Sequence, residues 1–293
     1  MEKFTVYSGM LAVMLSFLSC EPDWGNVAET IVVEGWIESG GNPVVILSKP
    51  IKASTHEVSL DDCIVATAKV TVSDGDTCVV LSGGLDHNYF PPYNYISSHI
   101  EGVPGKTYTL DIYYNDTHFS AVTTIPETCE IFSVEPYCIS DSTKYGILVS
   151  FPYNSSDHNW YQFFVKTKGK ETRYYPSVWG FVDSWSFNVL TTALDTAFSN
   201  NMNGRIVHKL YPGRHVLGDE EYRMSFEKDD TVQIKLATMD SVSSVIWQGF
   251  QKVEVTSNLG LFSIVERLDG NIPGAKGYWC GFGVSRSNTI IGK

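Results

Sequence analysis

Few side chains in this sequence combine the residue type and the spacing that acid–base, metal or nucleophilic chemistry requires. His56-Glu57 begins like a zincin motif, but no second histidine follows four residues on, so two imidazoles cannot share a helix face around zinc. The seven histidines show no metal-ligand spacing. Gly105-Lys106-Thr107 matches the end of a phosphate-binding loop, yet Ile100 stands where G-x-x-x-x-G-K-T needs its first glycine. Pro104-Gly105 is instead expected to turn the chain into a strand. No G-x-S-x-G elbow is present. Carboxylates are harder to dismiss, because glycosidases set two of them across a cleft at a separation that sequence does not reveal. Asp219-Glu220-Glu221 and Asp229-Asp230 are therefore candidates for acid–base or calcium chemistry, alongside a simpler reading as solvated loop charge. Asp74-Gly75-Asp76 has the same ambiguity, but its place in a hairpin favours a turn.

Aromatic residues form the one compositional anomaly. Residues 151–187 contain twelve, where the chain-wide 13% predicts about five. Phe163 and Tyr161 alternate with Phe164 and Trp160, as in a strand with one face in a core. Tyr174, Tyr175, Trp179 and Trp185 fall in a stretch without clear periodicity and are the candidate ligand-binding aromatics. Exposed rings suit sugar stacking or a protein hot spot, since they present a large amphipathic area at low entropic cost. The alternative is a satellite core beneath a long loop.

The first twenty residues read as an address. Met10–Leu18 is an apolar run of nine residues preceded by Lys3, well short of the roughly 20 needed to cross a bilayer but right for a signal-peptide core. Phe17-Leu18-Ser19-Cys20 resembles a bacterial lipobox, whose cysteine is acylated and becomes the new N-terminus. On that reading residues 1–19 are a lipoprotein signal peptide, Cys20 is the lipid attachment point and 20–26 form a surface tether. Each buried acyl methylene contributes about 0.8 kcal/mol, so several chains anchor stably. Glu21 and Asp23 resemble the acidic signal that sends some Bacteroidetes lipoproteins to the outer face of the outer membrane. Five cysteines remain. An exported protein can keep disulfides, and Cys63–Cys78 and Cys129–Cys138 are the candidate pairs, with reduced, packed thiols as the alternative. Closing a loop of about 15 residues stabilises by roughly 3 kcal/mol in the chain-entropy model.

The elements that position these residues read mainly as strands. Ile31–Ile37 and Val44–Leu47 flank the turn residues 39–43; residues 68–72 and 79–81 flank Asp74-Gly75; Tyr108, Leu110 and Ile112 alternate before Asn115-Asp116. Six or seven short strands in about 100 residues predict an N-terminal immunoglobulin- or transthyretin-like β-sandwich over 27–125. Residues 126–293 are expected to form a second β-rich domain, with 145–151 and 160–167 as a strand pair and 232–239 as another strand. One helix follows, capped by Asp240, with Val242, Val245, Ile246 and Phe250 as its apolar stripe. GYWCGFGVSRSNTII closes the chain as a strand or hairpin.

The whole sequence has 293 residues, 43% hydrophobic and 18% charged, with a net charge of -12. This composition supports a folded chain rather than a disordered one, and no Lys/Arg cluster offers a footprint for nucleic acid. The opening IVVEGWIESGGNPVVILSKP, the middle AKVTVSDGD, GKTYTLDI and TTIP, and the closing NIPGAKGYWCGFGVS resemble the Bacteroidetes outer-membrane lipoprotein family known as DUF 4249, in order along most of residues 20–290. The resemblance implies a surface lipoprotein whose gene often lies near a TonB-dependent receptor, with no established enzymatic activity and no catalytic residues to transfer. The expected function is a non-catalytic, cofactor-free accessory of nutrient uptake that binds a glycan or peptide ligand. A glycan-directed surface enzyme using carboxylates of residues 170–230, and an adhesion module, are the other readings.

Overall fold

The computed structural model of the chain describes residues 30–50, 60–140, 143–152, 157–185, 199–201, 204–213, 225–258 and 270–292. The signal peptide, Cys20, the 20–26 tether, His56-Glu57 and Asp219-Glu220-Glu221 lie outside them. The residues described from Ile31 onward belong to one unit, and it is mainly β.

Turn chemistry sets the first hairpins. Strands β1 (Val32–Glu38) and β2 (Val44–Ser48) pair antiparallel across the predicted turn, with Trp36 opposite Val44. After a short helix, α1 (Leu60–Cys63), β3 (Lys69–Ser73) turns into β4 (Cys78–Val80). Asp74 Oδ1 accepts the Thr77 amide at 2.8 Å there, and Lys106 Nζ meets Oδ2 at 3.0 Å. Asp74-Gly75-Asp76 and the Gly105 turn are thus parts of the scaffold. Strands β5 (Ser82–Leu85) and β6 (Tyr93–Ile96) follow, then β7 (Thr107–Tyr114) and β8 (Thr117–Thr124). The last two meet at Asn115 and Asp116, both at positive φ, as a two-residue hairpin of this kind requires. Sheet β4-β3-β7-β8 faces β5-β6-β2-β1 over a core that includes Val33, Ile37, Leu47, Val70, Leu110 and Ile112.

The second half repeats the two-layer plan with β9 (Ser133–Ser140), β10 (Lys144–Pro152), β11 (Trp160–Thr167), β12 (Tyr175–Asp183), β13 (Ser199–Asn201), β14 (Arg205–Leu210) and β15 (Thr231–Met239). The predicted pairing of 145–151 with 160–167 does not form. β10 pairs with β9 and β14, while β11 pairs with β12 and β15. Phe151 and Phe163 instead meet edge to face at 5.5 Å between the two layers. Both runs are buried on most positions, which suits strands from facing sheets as well as neighbours within one.

The last strand, β16 (Lys276–Ile290), is single rather than a hairpin, and it joins the two layers of strands. Its first half runs parallel to β1, from Lys276 opposite Val32 to Phe282 opposite Glu38. Its second half runs antiparallel to β15, from Gly283 opposite Thr238 to Ile290 opposite Thr231. One sheet of order β12-β11-β15-β16-β1-β2-β6-β5 results. The expected division at 126 falls between β8 and β9, but the first sandwich is closed by residues from the far end of the chain.

Packing around Trp279 fixes that closure. The indole is fully buried, its Nε1–H donates to the Tyr108 carbonyl at 3.0 Å, and Asn271 brackets its backbone with bonds of 2.7 and 2.8 Å. Gly35 leaves the space: a Cβ there would lie 2.8 Å from the indole ring. Gly283 lets β16 pass over the β8–β9 link, since a Cβ would sit 2.4 Å from the Pro126 oxygen.

The predicted helix exists as α2 (Ser241–Asn258). Asp240 caps it, its Oδ1 accepting the Ser243 amide at 2.7 Å. Its buried face shares only Ile246 with the predicted stripe. Ser243, Ile246 and Trp247 are buried, whereas Val242 and Val245 are 50% and 58% exposed. With apolar residues on several sides, the periodicity did not select a face; packing on Phe164, Phe282 and Cys280 did.

Candidate functional site

Alternation along β1 splits its side chains between two environments. Val33, Gly35 and Ile37 face the sandwich core, whereas Val32, Glu34, Trp36 and Glu38 point to the other side of the eight-stranded sheet. That outer face is the floor of an open cleft of about 940 Å³, a size typical of small-molecule sites. Even-numbered residues of β11 and β16 continue the floor, with Gln162, Phe164, Tyr278 and Phe282 among them. One wall is α2, through Ile246, Trp247, Phe250 and Gln251. The other walls come from Tyr89-Phe90 and from the segment 172–177 entering β12.

Aromatic rings line the helix side. Trp247 lies 5.6 Å from Phe250 and 6.3 Å from both Tyr278 and Phe282. Trp36 and Tyr89 meet at 5.8 Å. Burial pushes the Tyr278 hydroxyl well above its ordinary pKa and raises that of Tyr89 as well, so both are neutral hydrogen-bonding groups at physiological pH.

Two charged groups sit apart in the cleft, one on the floor and one on the 172–177 wall. Glu38 accepts Lys235 Nζ through one carboxylate oxygen and Arg286 Nη2 at 2.7 Å through the other. Lys235 is only 8% exposed and lies 4.6 Å from the Phe164 ring centroid and 5.0 Å from that of Tyr174. Burial lowers its pKa, with Glu38 opposing. The second group is Arg173, whose guanidinium lies 4.9 Å from the Tyr175 centroid and 5.4 Å from that of Tyr89. Nearby Glu34 has its pKa raised by burial, an effect Arg173 partly offsets.

The structure brings Tyr174 and Tyr175 of the predicted aromatics into this cleft and sends the other two elsewhere. Around Trp179 the β11–β12 register slips, and Trp179 takes φ 58, a bulge that turns the strand toward residues 211–213. Ser177 Oγ donates to the Tyr211 carbonyl at 2.9 Å there, and the Trp179 carbonyl accepts from His208 at 3.0 Å. Trp185 is 55% exposed and stacks on His158 at 4.1 Å, away from the cleft. Four of the described carboxylates of 170–230 are tied into the scaffold, where Glu171 accepts the Thr167 amide, Asp183 pairs with His158 at 2.8 Å, and Glu227 and Asp230 hold Lys170, while Asp229 is exposed and does not line the cleft. Among the described residues no cluster of three His, Cys, Asp or Glu could hold a metal ion. No described helix is long and apolar enough to cross a membrane.

Neither expected disulfide forms. Cys63 is buried at the end of α1 while Cys78 is exposed on β4; Cys129 packs on the second core while Cys138 is exposed on β9. In each pair one thiol faces the interior and the other faces water. Burial pushes the Cys129 thiol up to about 11 and that of Cys280 to about 12.

Glu34, Glu38, Arg173, Lys235 and Trp247 were not singled out from sequence. A usable signal existed in V-V-E-G-W-I-E, where Glu, Trp and Glu alternate with core residues on one strand.

The fold and site define a mainly β protein of two sandwiches joined through one sheet, with an open aromatic cleft on that sheet's outer face. The chain belongs to the family described as a domain of unknown function, DUF4249, whose model matches residues 19–288. Among solved structures it is similar to a chain of a cytokine receptor complex, at 8% identity over 73% of this chain and 85% of that one, with a TM-score of 0.25. It is also similar to the FN1-FN3 domains of chicken CNTN1, at 13% identity over 71% and 60%, with a TM-score of 0.22. No curated protein matches the sequence.

Proposed function

We propose that this protein is a lipid-anchored lipoprotein of the outer membrane, facing the cell exterior, and that it serves as a non-catalytic ligand-binding accessory of a TonB-dependent uptake system. The observation that carries the binding role is the cleft: about 940 Å³ of concave space with aromatic walls and a few fixed polar groups. The lipobox-like residues ending at Cys20 support the anchor, and the acidic residues Glu21 and Asp23 support the outward address. The engagement of Glu171, Asp183, Glu227 and Asp230 in scaffold contacts favours binding over glycan hydrolysis, because a glycosidase needs two carboxylates available across one cleft.

Fractionation tests the anchor and co-purification tests the partner. Cys20→Ala should move the protein from the membrane to the soluble fraction, and full retention on membranes would reject the anchor. Wild-type protein extracted in mild detergent should co-purify with a transporter. Isolated protein that turns over polysaccharide would reject the non-catalytic reading.

A further inference from the structure

We infer that the cleft recognises a carboxylate, with the Arg173 guanidinium as its docking group and the Trp247–Phe250 wall receiving the remainder of the ligand. This rests on the binding role proposed above and names the chemistry that the site selects.

The sign of the site opposes that of the protein. The chain carries -12, yet the cleft is lined by Lys166, Arg173, Lys235, Lys276 and Arg286 against Glu34 and Glu38. Most of these cations are already engaged or exposed. Glu38 takes Lys235 and Arg286, Lys166 Nζ donates to the Thr172 carbonyl at 2.8 Å, and Lys276 is exposed. Arg173 differs. It makes no hydrogen bond or ion pair among the described residues, and its Nε is buried without an acceptor. A guanidinium whose donors go unmet in a desolvated cleft is costly to hold there, so an acceptor supplied by a ligand to its N–H groups offsets that cost.

The guanidinium lies over the rings of Tyr175 and Tyr89, cation–π contacts that are not hydrogen bonds and leave its N–H fork to a ligand. A planar carboxylate matches that fork with two parallel hydrogen bonds. Glu34 limits the charge of the guest, because a carboxyl in the same desolvated cleft disfavours a dianion such as phosphate more than a monoanion. Phe250 is 40% exposed beside the buried Trp247, giving an accessible apolar surface at the helix end of the cleft.

The test uses the purified full chain and matched pairs differing only in charge: phenylacetate with phenylacetamide, hexanoate with hexanamide, and galacturonate with galactose. Calorimetry should show at least one acid binding tenfold or more tightly than its neutral partner, and the pair that responds tells aromatic, aliphatic and sugar acids apart. Arg173→Gln should abolish the preference. Arg173→Lys, which keeps the charge but loses the fork, should weaken acid binding about tenfold, with an unchanged melting temperature reporting an intact fold. Neutral partners binding as tightly as the acids, or a preference that survives both variants, would overturn the inference and leave the binding role standing. Absence of saturable binding by all six compounds would overturn both.

Discussion

Replacing Glu38 with leucine isolates the charge that the cleft floor carries at the end of β1. In the native protein Lys235 is 8% exposed and held by Glu38, while Arg286 donates to the same carboxylate at 2.7 Å. Without Glu38 the ammonium stays buried, compensated only by the faces of Phe164 and Tyr174 at 4.6 and 5.0 Å. Cation–π contacts are worth about 0.5–2 kcal/mol each, less than the roughly 3–5 kcal/mol lost when one member of a buried ion pair is removed. Arg286 is about half exposed, so water replaces its partner and it adds little. The expected loss is therefore about 3 kcal/mol near neutral pH. The penalty shrinks in alkali. Burial holds the native Lys235 pKa below 10.5, so the unfolded chain binds more protons between the two values and the variant gains stability as pH rises toward 10.5. Urea unfolding followed by tryptophan fluorescence across that range measures both effects. Adding Lys235→Met should recover most of the loss and flatten the pH slope. A single variant within about 1 kcal/mol of wild type, or a double variant no more stable than the single, refutes the reasoning.

Gly35→Ala places a Cβ 2.8 Å from the Trp279 indole and should cost about 1–3 kcal/mol by overpacking; an unshifted urea midpoint would show that the ring has room to move. Glu34→Gln should stabilise the protein near neutral pH and do nothing at pH 4 or below. The native Glu34 pKa lies above 4.5, so the wild type loses stability as pH rises from 4.5 through the native value, and glutamine carries no such loss. Equal effects of the variant at pH 4 and pH 7 would contradict this. Iodoacetamide should label Cys78 and Cys138 quickly in the native protein, the half-buried Cys129 more slowly and the buried Cys280 only after unfolding, because burial raises the last two thiols to pKa values near 11 and 12. Peptide mapping reads the result, and a Cys63–Cys78 or Cys129–Cys138 cross-link would contradict it.

Strands and turns were legible because their causes are local. Asn115-Asp116 and Asp74-Gly75 dictate hairpins wherever they lie, and alternation in residues 107–124 marks one buried face. Pairing between distant segments was not legible. Nothing within residues 145–167 states that the two strands belong to facing layers, and nothing in the 276–290 run announces that half of it lies beside residue 32. The site suffered most from this, since its floor combines β1, β11, β15 and β16. The aromatic excess includes Tyr174 and Tyr175, which line the cleft, but the bulge at Trp179 lies where Ser177 meets residues 211–213, a contact between segments that local sequence does not announce.

The cleft and the junction of the two sandwiches share one electrostatic device. Lys235 and Arg286 sit directly opposite each other on β15 and β16, and like charges at such positions are destabilising. Glu38 bridges both, one carboxylate oxygen to each, and it reaches them because β1 ends beside Phe282, at the point where β16 leaves one sandwich for the other. A one-residue slip of β1 against β16 would turn Glu38 into the core and uncover two cations, so the triad penalises every register but the native one. That register also determines which β1 side chains form the floor. By satisfying Lys235 and Arg286 within the scaffold, Glu38 leaves the half-buried Arg173 as the cleft guanidinium with no hydrogen bond or ion pair among the described residues.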